Sequence, residues 1–311
     1  MDNWQKEICE GLAGEYGVKR MEQAMVELIT EFLELGVDPN QQDQEWHRPL
    51  WHSTLDCDGA PLSVIELFFK YGTTAEYESE IWNPPLIQAL KCKREQPIIE
   101  FLLAQGAGAS PNKRDSSRGI YLACEREYDL SLFKALVELG FPVDIPQIYK
   151  QETPLLRVCY LGLAYEIIEY LLDQGTSVKH VDDEGNTALT HLCAGTRDSK
   201  LERVELLLKR GADVRAVTAQ GFSALGYECK HDGEIVVIKA LVNAGADVNA
   251  IENGYSIAML AVEENNIDAI ETLVELGFTQ FYHTHPETGM NAFDLCKNSE
   301  DRETLRKLFG K

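Results

Sequence analysis

The sequence predicts an all-α protein, a solenoid of about nine stacked helix-turn-helix repeats joined by short hairpin loops. Three observations predict it. A glycine returns every 32 to 36 residues, paired apolar residues precede each glycine, and a short capped segment precedes each apolar one. Such periods are typical of architectures in which each repeat buries its apolar face only against its neighbours.

The repeated glycine follows an apolar, helix-like segment eight times. The positions are Gly36, Gly72, Gly106, Gly140, Gly175, Gly211, Gly245 and Gly277. Glycine adopts left-handed backbone conformations at little steric cost, so it is common where a helix ends. The spacing therefore predicts eight helix ends in the same place within successive repeats.

Apolar residues stand three, four and seven positions before each of these glycines. In the sixth segment they are Leu208, Leu207 and Val204. Offsets of three and four place such residues on one face of a helix. We therefore expect a helix with a buried face in front of every glycine.

A second landmark precedes these helices from the second repeat onward. It is clearest at Thr153-Pro154-Leu155, Thr187-Ala188-Leu189 and Ser223-Ala224-Leu225. Ser and Thr cap the N terminus of a helix, and Pro is tolerated in its first turn. Each repeat is therefore predicted to contain a short capped helix, a connector, a long helix and an extended loop.

Together these motifs resemble the ankyrin repeat family. The clearest matches are Gly211-Ala212-Asp213-Val214 and Gly245-Ala246-Asp247-Val248-Asn249-Ala250, and the resemblance runs from about residue 20 to residue 310. The histidine that usually follows the Pro-Leu pair is missing. Its place is taken by Trp51, Ile87, Leu156, Thr190 and Gly226.

No Pro-, Gly- or Ser-rich linker divides the array, so we expect one ankyrin repeat domain over residues 1–311. Within it we assign an N-terminal capping repeat to 1–40, central repeats to 41–286 and a C-terminal capping repeat to 287–311. At the C-terminal end the positions that should be apolar are Arg306 and Lys307, as a solvated cap requires.

The net charge is −22, from 29 basic and 51 acidic residues. Such a surface repels phosphate backbones, which disfavours nucleic-acid binding, and attracts basic proteins. The alternative is that the acidic residues only keep the protein soluble. No apolar stretch is long enough to cross a membrane and no signal peptide begins the chain, so we expect a cytoplasmic protein, with signal-independent export left open.

Four cysteines keep step with the repeat: Cys124, Cys159, Cys193 and Cys229. A spacing near 35 does not bring two metal ligands together, so we interpret them as small buried packing residues. His283 and His285 form the one close histidine pair, and a solvated loop tip explains them better than a metal site. We expect no cofactor.

The sequence lacks the common catalytic motifs, including a P-loop, a dinucleotide-binding glycine motif and H-E-x-x-H. Ser223 is better explained as a helix cap than as a nucleophile. We therefore expect a protein that is not an enzyme. A catalytic or metal-dependent protein is the alternative from a different functional class.

The family resemblance implies that loop tips and the exposed face of the short helices bind a protein partner. Large aromatic residues with neighbouring charges are the candidates, because such residues dominate binding hot spots. The candidate partner-binding residues are Trp46, His52, Tyr77, Glu78, Glu80, Trp82, Tyr149, Arg157, Phe222, Tyr227 and Tyr255.

Two aromatic pairs within this set follow the repeat. Trp46 and Trp82 are 36 residues apart, where the family usually has glycine; they form either a hot spot or a cover over the loop below. Phe222 and Tyr255 take the same place in successive loops, and we expect both to be exposed.

The function expected from these observations is a protein-protein interaction module for a specific partner, for which a basic protein is one candidate class. It would act as a stand-alone inhibitor, immunity-type protein, effector or adaptor, as a monomer. The alternative within binding is a dedicated chaperone of a basic client. The family resemblance also implies that Asn249 is a candidate for asparagine hydroxylation.

Overall fold

The computed structural model describes residues 15–42, 48–56, 60–75, 83–108, 119–126, 128–147, 149–195, 200–231 and 233–310. Its contacts form two compact units, Met1–Phe141 and Pro142–Lys311, which are called unit 1 and unit 2 here. Both are built from alternating long and short helices, so the predicted helical repeat is confirmed. The single domain over 1–311 stays a prediction.

Unit 1 contains four long and three short helices within its described residues. The long helices are α1 (Glu15–Glu34), α3 (Leu62–Lys70), α5 (Gln96–Ala104) and α7 (Leu130–Glu138); the short ones are α2 (Leu50–Ser53), α4 (Pro85–Lys91) and α6 (Gly119–Ala123). Long helices contact neighbouring long helices, for example α1 with α3. Short helices contact neighbouring short helices, for example α4 with α6. Each repeat therefore packs against the same part of the next.

Unit 2 continues the same alternation. Its short helices are α8 (Pro154–Leu161), α10 (Ala188–Ala194), α12 (Ala224–Lys230), α14 (Ile257–Glu263) and α16 (Ala292–Leu295); its long ones are α9 (Tyr165–Asp173), α11 (Leu201–Lys209), α13 (Ile235–Asn243), α15 (Ile267–Glu275) and α17 (Ser299–Leu308). The short helices α8, α10, α12 and α14 contact one another in sequence order. The described helices include none long and apolar enough to cross a membrane.

The repeated glycines end the long helices, as predicted. Their φ angles lie between 83° and 103°, in the left-handed region. In each case the following residue donates its N–H to the carbonyl five positions back, as Ala212 does to Leu207 at 3.0 Å. This bond belongs to the Schellman motif, which satisfies carbonyl groups left over at a helix end.

The predicted caps also form in unit 2. The side chains of Thr153, Thr187, Ser223 and Ser256 each accept a hydrogen bond from a first-turn N–H of the short helix that follows. Because these bonds satisfy orphan donors, they fix where each short helix begins.

The loops between repeats contain short strand pairings that the all-α prediction did not include. β1 (Ile251–Glu252) pairs antiparallel with β2 (Tyr255–Ser256). The turn between them is Asn253-Gly254, whose φ angles are 49° and 85°. An Asn-Gly turn with two positive φ angles matches the twist of a tight hairpin. Single bridges occur at three corresponding loops, Gln42 with Pro49, Val217 with Ser223, and Thr284 with Asn291.

The cysteine column lies in the core, as predicted. Cys124, Cys159, Cys193 and Cys229 are buried and reduced. Burial raises the pKa of the Cys159 thiol to about 12 and also raises the pKa of Cys193 and Cys229. Thiols held neutral in this way act as small packing residues.

Candidate functional site

A groove in unit 2 gathers aromatic and charged side chains from two successive repeats. Its volume is about 180 Å³, and it is lined by Lys150, Glu152, Arg157, Tyr160, Asp182, Glu184 and His191. Arg157 and Tyr160 come from α8 and His191 from α10, while the others come from the loops in front of these helices. The groove therefore lies where short helices and loops face each other.

Asp182 connects the loop wall of this groove to the helix wall. Its carboxylate accepts hydrogen bonds from the backbone N–H groups of Glu184 and Asn186, at 2.9 and 2.7 Å. It also lies 3.0 Å from Nε2 of His191. These contacts hold the hairpin loop against α10, so the groove has a preformed wall.

Tyr160 is the most exposed aromatic residue of the groove. Its side chain is 50% exposed, although it sits between two other groove residues. The His191 ring lies edge-on to it at a centroid distance of 5.5 Å. The Arg157 guanidinium lies 5.6 Å from its ring centroid, close enough for a cation–π interaction.

Burial and hydrogen bonding set the charges of the groove. Burial is the largest influence on Asp182 and alone would raise its pKa, but hydrogen bonds from Asn186 and His191 lower the pKa below its usual value. Burial lowers the pKa of His191, against the raising effect of Asp182. At neutral pH the groove therefore holds an ionised Asp182 and an uncharged His191.

The remaining charges are two carboxylates and two cations. Glu152 is buried, with its carboxylate 3.9 Å from the Arg157 guanidinium, whereas Glu184 is exposed at the rim. Three carboxylates against Lys150 and Arg157 leave the groove with an excess of negative charge. Such a surface suits recognition of a polypeptide by stacking and ion pairing, because aromatic residues and Arg are enriched at the centre of interfaces.

Several of the residues predicted to bind a partner lie outside the described residues. They are Trp46, Tyr77, Glu78, Glu80 and Trp82. Their assignment therefore stays a prediction.

Arg157 and Tyr149 have positions that suit the predicted role. Arg157 is a groove residue, and Tyr149 is 85% exposed next to Lys150, which lines the groove.

Phe222 is buried, so the expectation that it is exposed was wrong. Only 4% of its surface is accessible, because the Tyr227 ring lies 5.5 Å away and the Lys230 ammonium 4.3 Å from its centroid. Tyr227 is itself buried between Phe222 and the stacked His231 ring, at 6.0 Å. The rings of Phe222, Tyr227 and His231 therefore form a cluster that packs against α12.

His52 and Tyr255 also lie deeper than predicted. His52 is fully buried in unit 1, where its ring accepts from Nε of Arg48 at 2.9 Å and contacts the carbonyl of Asn83 at 2.8 Å. Tyr255 is half-buried against the His285 ring, 4.5 Å away. Both side chains therefore make contacts that hold a loop against a neighbouring segment.

Sequence reasoning missed Tyr160 and Asp182. Tyr160 follows Arg157 by three residues on the same short helix, so helical spacing places both on one face. Asp182 occupies the loop position nine residues before His191. The position of Tyr160 on the exposed face of α8 was therefore open to prediction, whereas the bond between Asp182 and His191 depends on the fold.

The interpretation of His283 and His285 as a solvated loop tip was wrong for His285, which is 8% exposed, and both rings contact the backbone. His283 Nε2 lies 2.8 Å from the carbonyl of Gly254, and His285 Nδ1 accepts from the N–H of Glu287 at 3.2 Å. Within the described residues, His, Cys, Asp and Glu form no cluster of three suited to a metal ion.

Comparison with known proteins gives one family. A sequence model described as "Ankyrin repeats (3 copies)" matches residues 120–218 and 191–281. Together the two matches span about half of the 311 residues. No curated protein matches the chain. The count of nine repeats extends beyond the matched residues and stays a prediction.

Proposed function

Because the chain belongs to the ankyrin repeat family, whose members are generally protein-protein interaction modules, we propose that it binds one specific protein partner through the groove of unit 2. The observation that carries this proposal is the half-exposed Tyr160 ring between Arg157 and His191. An aromatic side chain held rigid yet open to solvent is a common interface anchor.

The preformed wall of the groove supports the proposal. Asp182 is fixed by bonds from Asn186 and His191, so little conformational entropy remains to be lost when a partner binds. A partner residue can stack on Tyr160 while its polar groups pair with the surrounding charges. The proposed groove extends the predicted set of binding residues to Tyr160 and Asp182.

A basic partner suits the charge of this surface. The groove carries more carboxylates than cations, and the whole chain has a net charge of −22. Opposite charges steer association and favour partners with complementary potential. We therefore propose that the segment bound in the groove carries Lys or Arg.

The test is affinity capture from native cell extract, identification of the captured protein by mass, and measurement of its affinity for variants of the full chain. Tyr160→Ala should weaken binding by roughly 2 kcal/mol, or about 30-fold, because it removes an interface anchor. Helical content should not change, because the ring is half exposed.

Tyr165→Ala is the matched control. Tyr165 lies on the long helix α9, outside the groove, where its hydroxyl donates to Glu169 at 3.1 Å. This variant should bind the partner as the unmodified chain does. Equal affinities for all three proteins would refute the groove as the binding surface.

The large negative charge also favours a second candidate, a chaperone of a basic client protein. A chaperone that works mainly by charge should lose most of its affinity in about 0.5 M salt, because screening then acts within a few ångströms. Binding anchored on Tyr160 should persist under the same conditions. The salt dependence of the captured complex therefore separates the two candidates.

A further inference from the structure

We infer that the apolar face of α1 is a docking surface for an amphipathic, basic helix of a partner protein. The face consists of Met25, Leu28 and Phe32 of α1 and of Leu35 directly after its end, and these four residues are called the α1 stripe. The inference rests on the proposed interaction function, but it concerns unit 1 and not the groove of unit 2.

The α1 stripe is a continuous apolar surface. Its residues are 37%, 55%, 52% and 82% exposed in chain order, and steps of three, four and three residues place them on one side of the helix. A different side of α1 packs in unit 1, where Leu33 is buried and Glu22 accepts a hydrogen bond from Ser63 of α3 at 2.6 Å. Exposed apolar surface of this extent is typical of interaction sites.

The surface continues beyond the end of α1. Val37 lines a groove of about 420 Å³ together with Pro49 and Leu50, and Leu50 is 53% exposed. The rest of its lining is polar and includes one anion, Asp38, and one cation, Arg48. From Met25 to Leu35 the stripe is about 15 Å long at the rise of an α-helix. This end of unit 1 therefore offers a seat for about three turns of a partner helix.

The acidic residues beside the α1 stripe favour a basic helix as the partner. Glu27, Glu31 and Glu34 are exposed along one edge of the stripe, whereas the two cations of α1, Lys19 and Arg20, precede Met25 by more than one helical turn. An amphipathic helix seated on the stripe would lie next to this row of carboxylates. Lys or Arg on its flank would pair with them, which is the pattern of helix-in-groove recognition.

Other occupants match the charge less well. A second copy of the chain would bring the same row of carboxylates and a net charge of −22. The N-terminal residues 1–14, which lie outside the described residues, contain Asp2, Glu7 and Glu10 against Lys6. A basic helix from another protein is therefore the occupant that the surface favours.

The test uses a fluorescent helical peptide about five turns long, with leucines along one face and lysines along its flanks. Fluorescence anisotropy with the full chain should show saturable binding. The double variant Leu28→Glu with Phe32→Glu should weaken it at least tenfold, because it places charge in the stripe. The control is Val236→Glu on α13, which changes a 49% exposed apolar residue of unit 2 and should leave binding unchanged.

A second pair of reagents tests the charge argument. A peptide with the same leucines but glutamate flanks should bind at least tenfold more weakly than the lysine peptide. The triple variant Glu27→Lys, Glu31→Lys, Glu34→Lys should reverse this preference. Tyr160→Ala should not affect either peptide, so failure here is distinguishable from failure of the proposed groove.

Three results would overturn the inference. The first is binding that is absent, or is unchanged by the stripe variants. The second is a dimer of the full chain, seen by sedimentation, that dissociates when Leu28 and Phe32 are replaced. The third is peptide binding that rises severalfold when Ile8 and Leu12 are replaced by the uncharged Ser, because the N-terminal segment would then be the occupant.

Discussion

The carboxylate of Glu252 occupies the space in which a side chain at Gly226 would begin. Glu252 lies in β1 and accepts the backbone N–H of Ser223, the cap of α12, at 2.9 Å. A Cβ added to Gly226 would overlap Oε2 of this carboxylate. The loop of one repeat therefore reaches the first turn of the preceding short helix, and a glycine stands where the family usually has histidine.

This relationship predicts that the effect of Gly226→Ala changes sign with its neighbour. In the unmodified chain the added methyl group should cost about 1–3 kcal/mol of unfolding free energy, because it displaces Glu252. In a Glu252→Ala background the same change should stabilise α12 by up to about 1 kcal/mol, because alanine is the better helix former. Urea unfolding of the four proteins measures both effects, and an equal effect of Gly226→Ala in the two backgrounds would contradict the prediction.

His52 should make the stability of unit 1 depend on pH. Burial lowers the pKa of its ring from 6.5 to about 4, although the Asn83 carbonyl partly opposes this. Between these values the unfolded chain binds a proton that the folded chain does not, so stability falls as the pH falls from 6.5 towards 4. The loss between pH 7 and pH 5 should be about 2 kcal/mol.

His52→Gln is the variant that tests this effect. An amide can accept from Arg48 and donate to Asn83, yet it does not titrate. The variant should therefore lose the part of the pH dependence that belongs to His52 and to its electrostatic interaction with Asp56. Urea midpoints at pH 8, 7, 6 and 5 measure the difference. Parallel curves for the two proteins would show that His52 does not titrate on unfolding.

The hot-spot interpretation of Trp46 and Trp82 predicts a loss of binding without a loss of structure. The double change Trp46→Ala with Trp82→Ala should abolish partner capture and leave the circular dichroism spectrum unchanged. Trp51→Ala is the contrast, because Trp51 is 1% exposed and its removal should cost about 3–5 kcal/mol. Capture that survives the double change would assign the two indoles to covering the loop.

Much of the fold could be predicted from the sequence because the residues that begin and end each helix recur with the repeat. Gly211 ends α11 since the backbone there needs a positive φ, and Thr187 caps α10 since its hydroxyl satisfies a first-turn N–H. Both requirements depend on residues within a few positions. They can therefore be read in every repeat without knowledge of the packing.

The contacts between repeats could not be predicted in this way. Phe222 was expected to be exposed because it follows a turn, but Tyr227 and Lys230 cover it. The bond between Asp182 and His191 joins a loop to a helix nine residues later. Such pairs depend on how the loop folds back, which the spacing of the repeat does not specify.

A buried ion pair in unit 2 gives the last prediction. Lys200 Nζ lies 3.2 Å from Glu228 Oε2, with side chains 6% and 0% exposed. The other oxygen of Glu228 accepts the N–H of Glu234 at 2.8 Å. Burial raises the pKa of Glu228, against the lowering effect of Lys200. The ammonium therefore compensates a carboxylate that would otherwise be costly to keep ionised in the core.

Lys200→Met should consequently destabilise the chain by about 3–5 kcal/mol at neutral pH, because it leaves the Glu228 charge unpaired. A carboxylate whose pKa is raised in the folded state favours folding most at pH values below its unfolded-state pKa, and this contribution to the free energy of unfolding is lost as the pH rises. The cost of Lys200→Met should therefore be smaller at pH 5 than at pH 8. Adding Glu228→Gln should restore most of the stability, because the amide keeps an acceptor for Glu234 without a charge. Thermal and urea unfolding of the single and double variants test this. A double variant no more stable than Lys200→Met would show that the unpaired charge of Glu228 is not the cause of the loss.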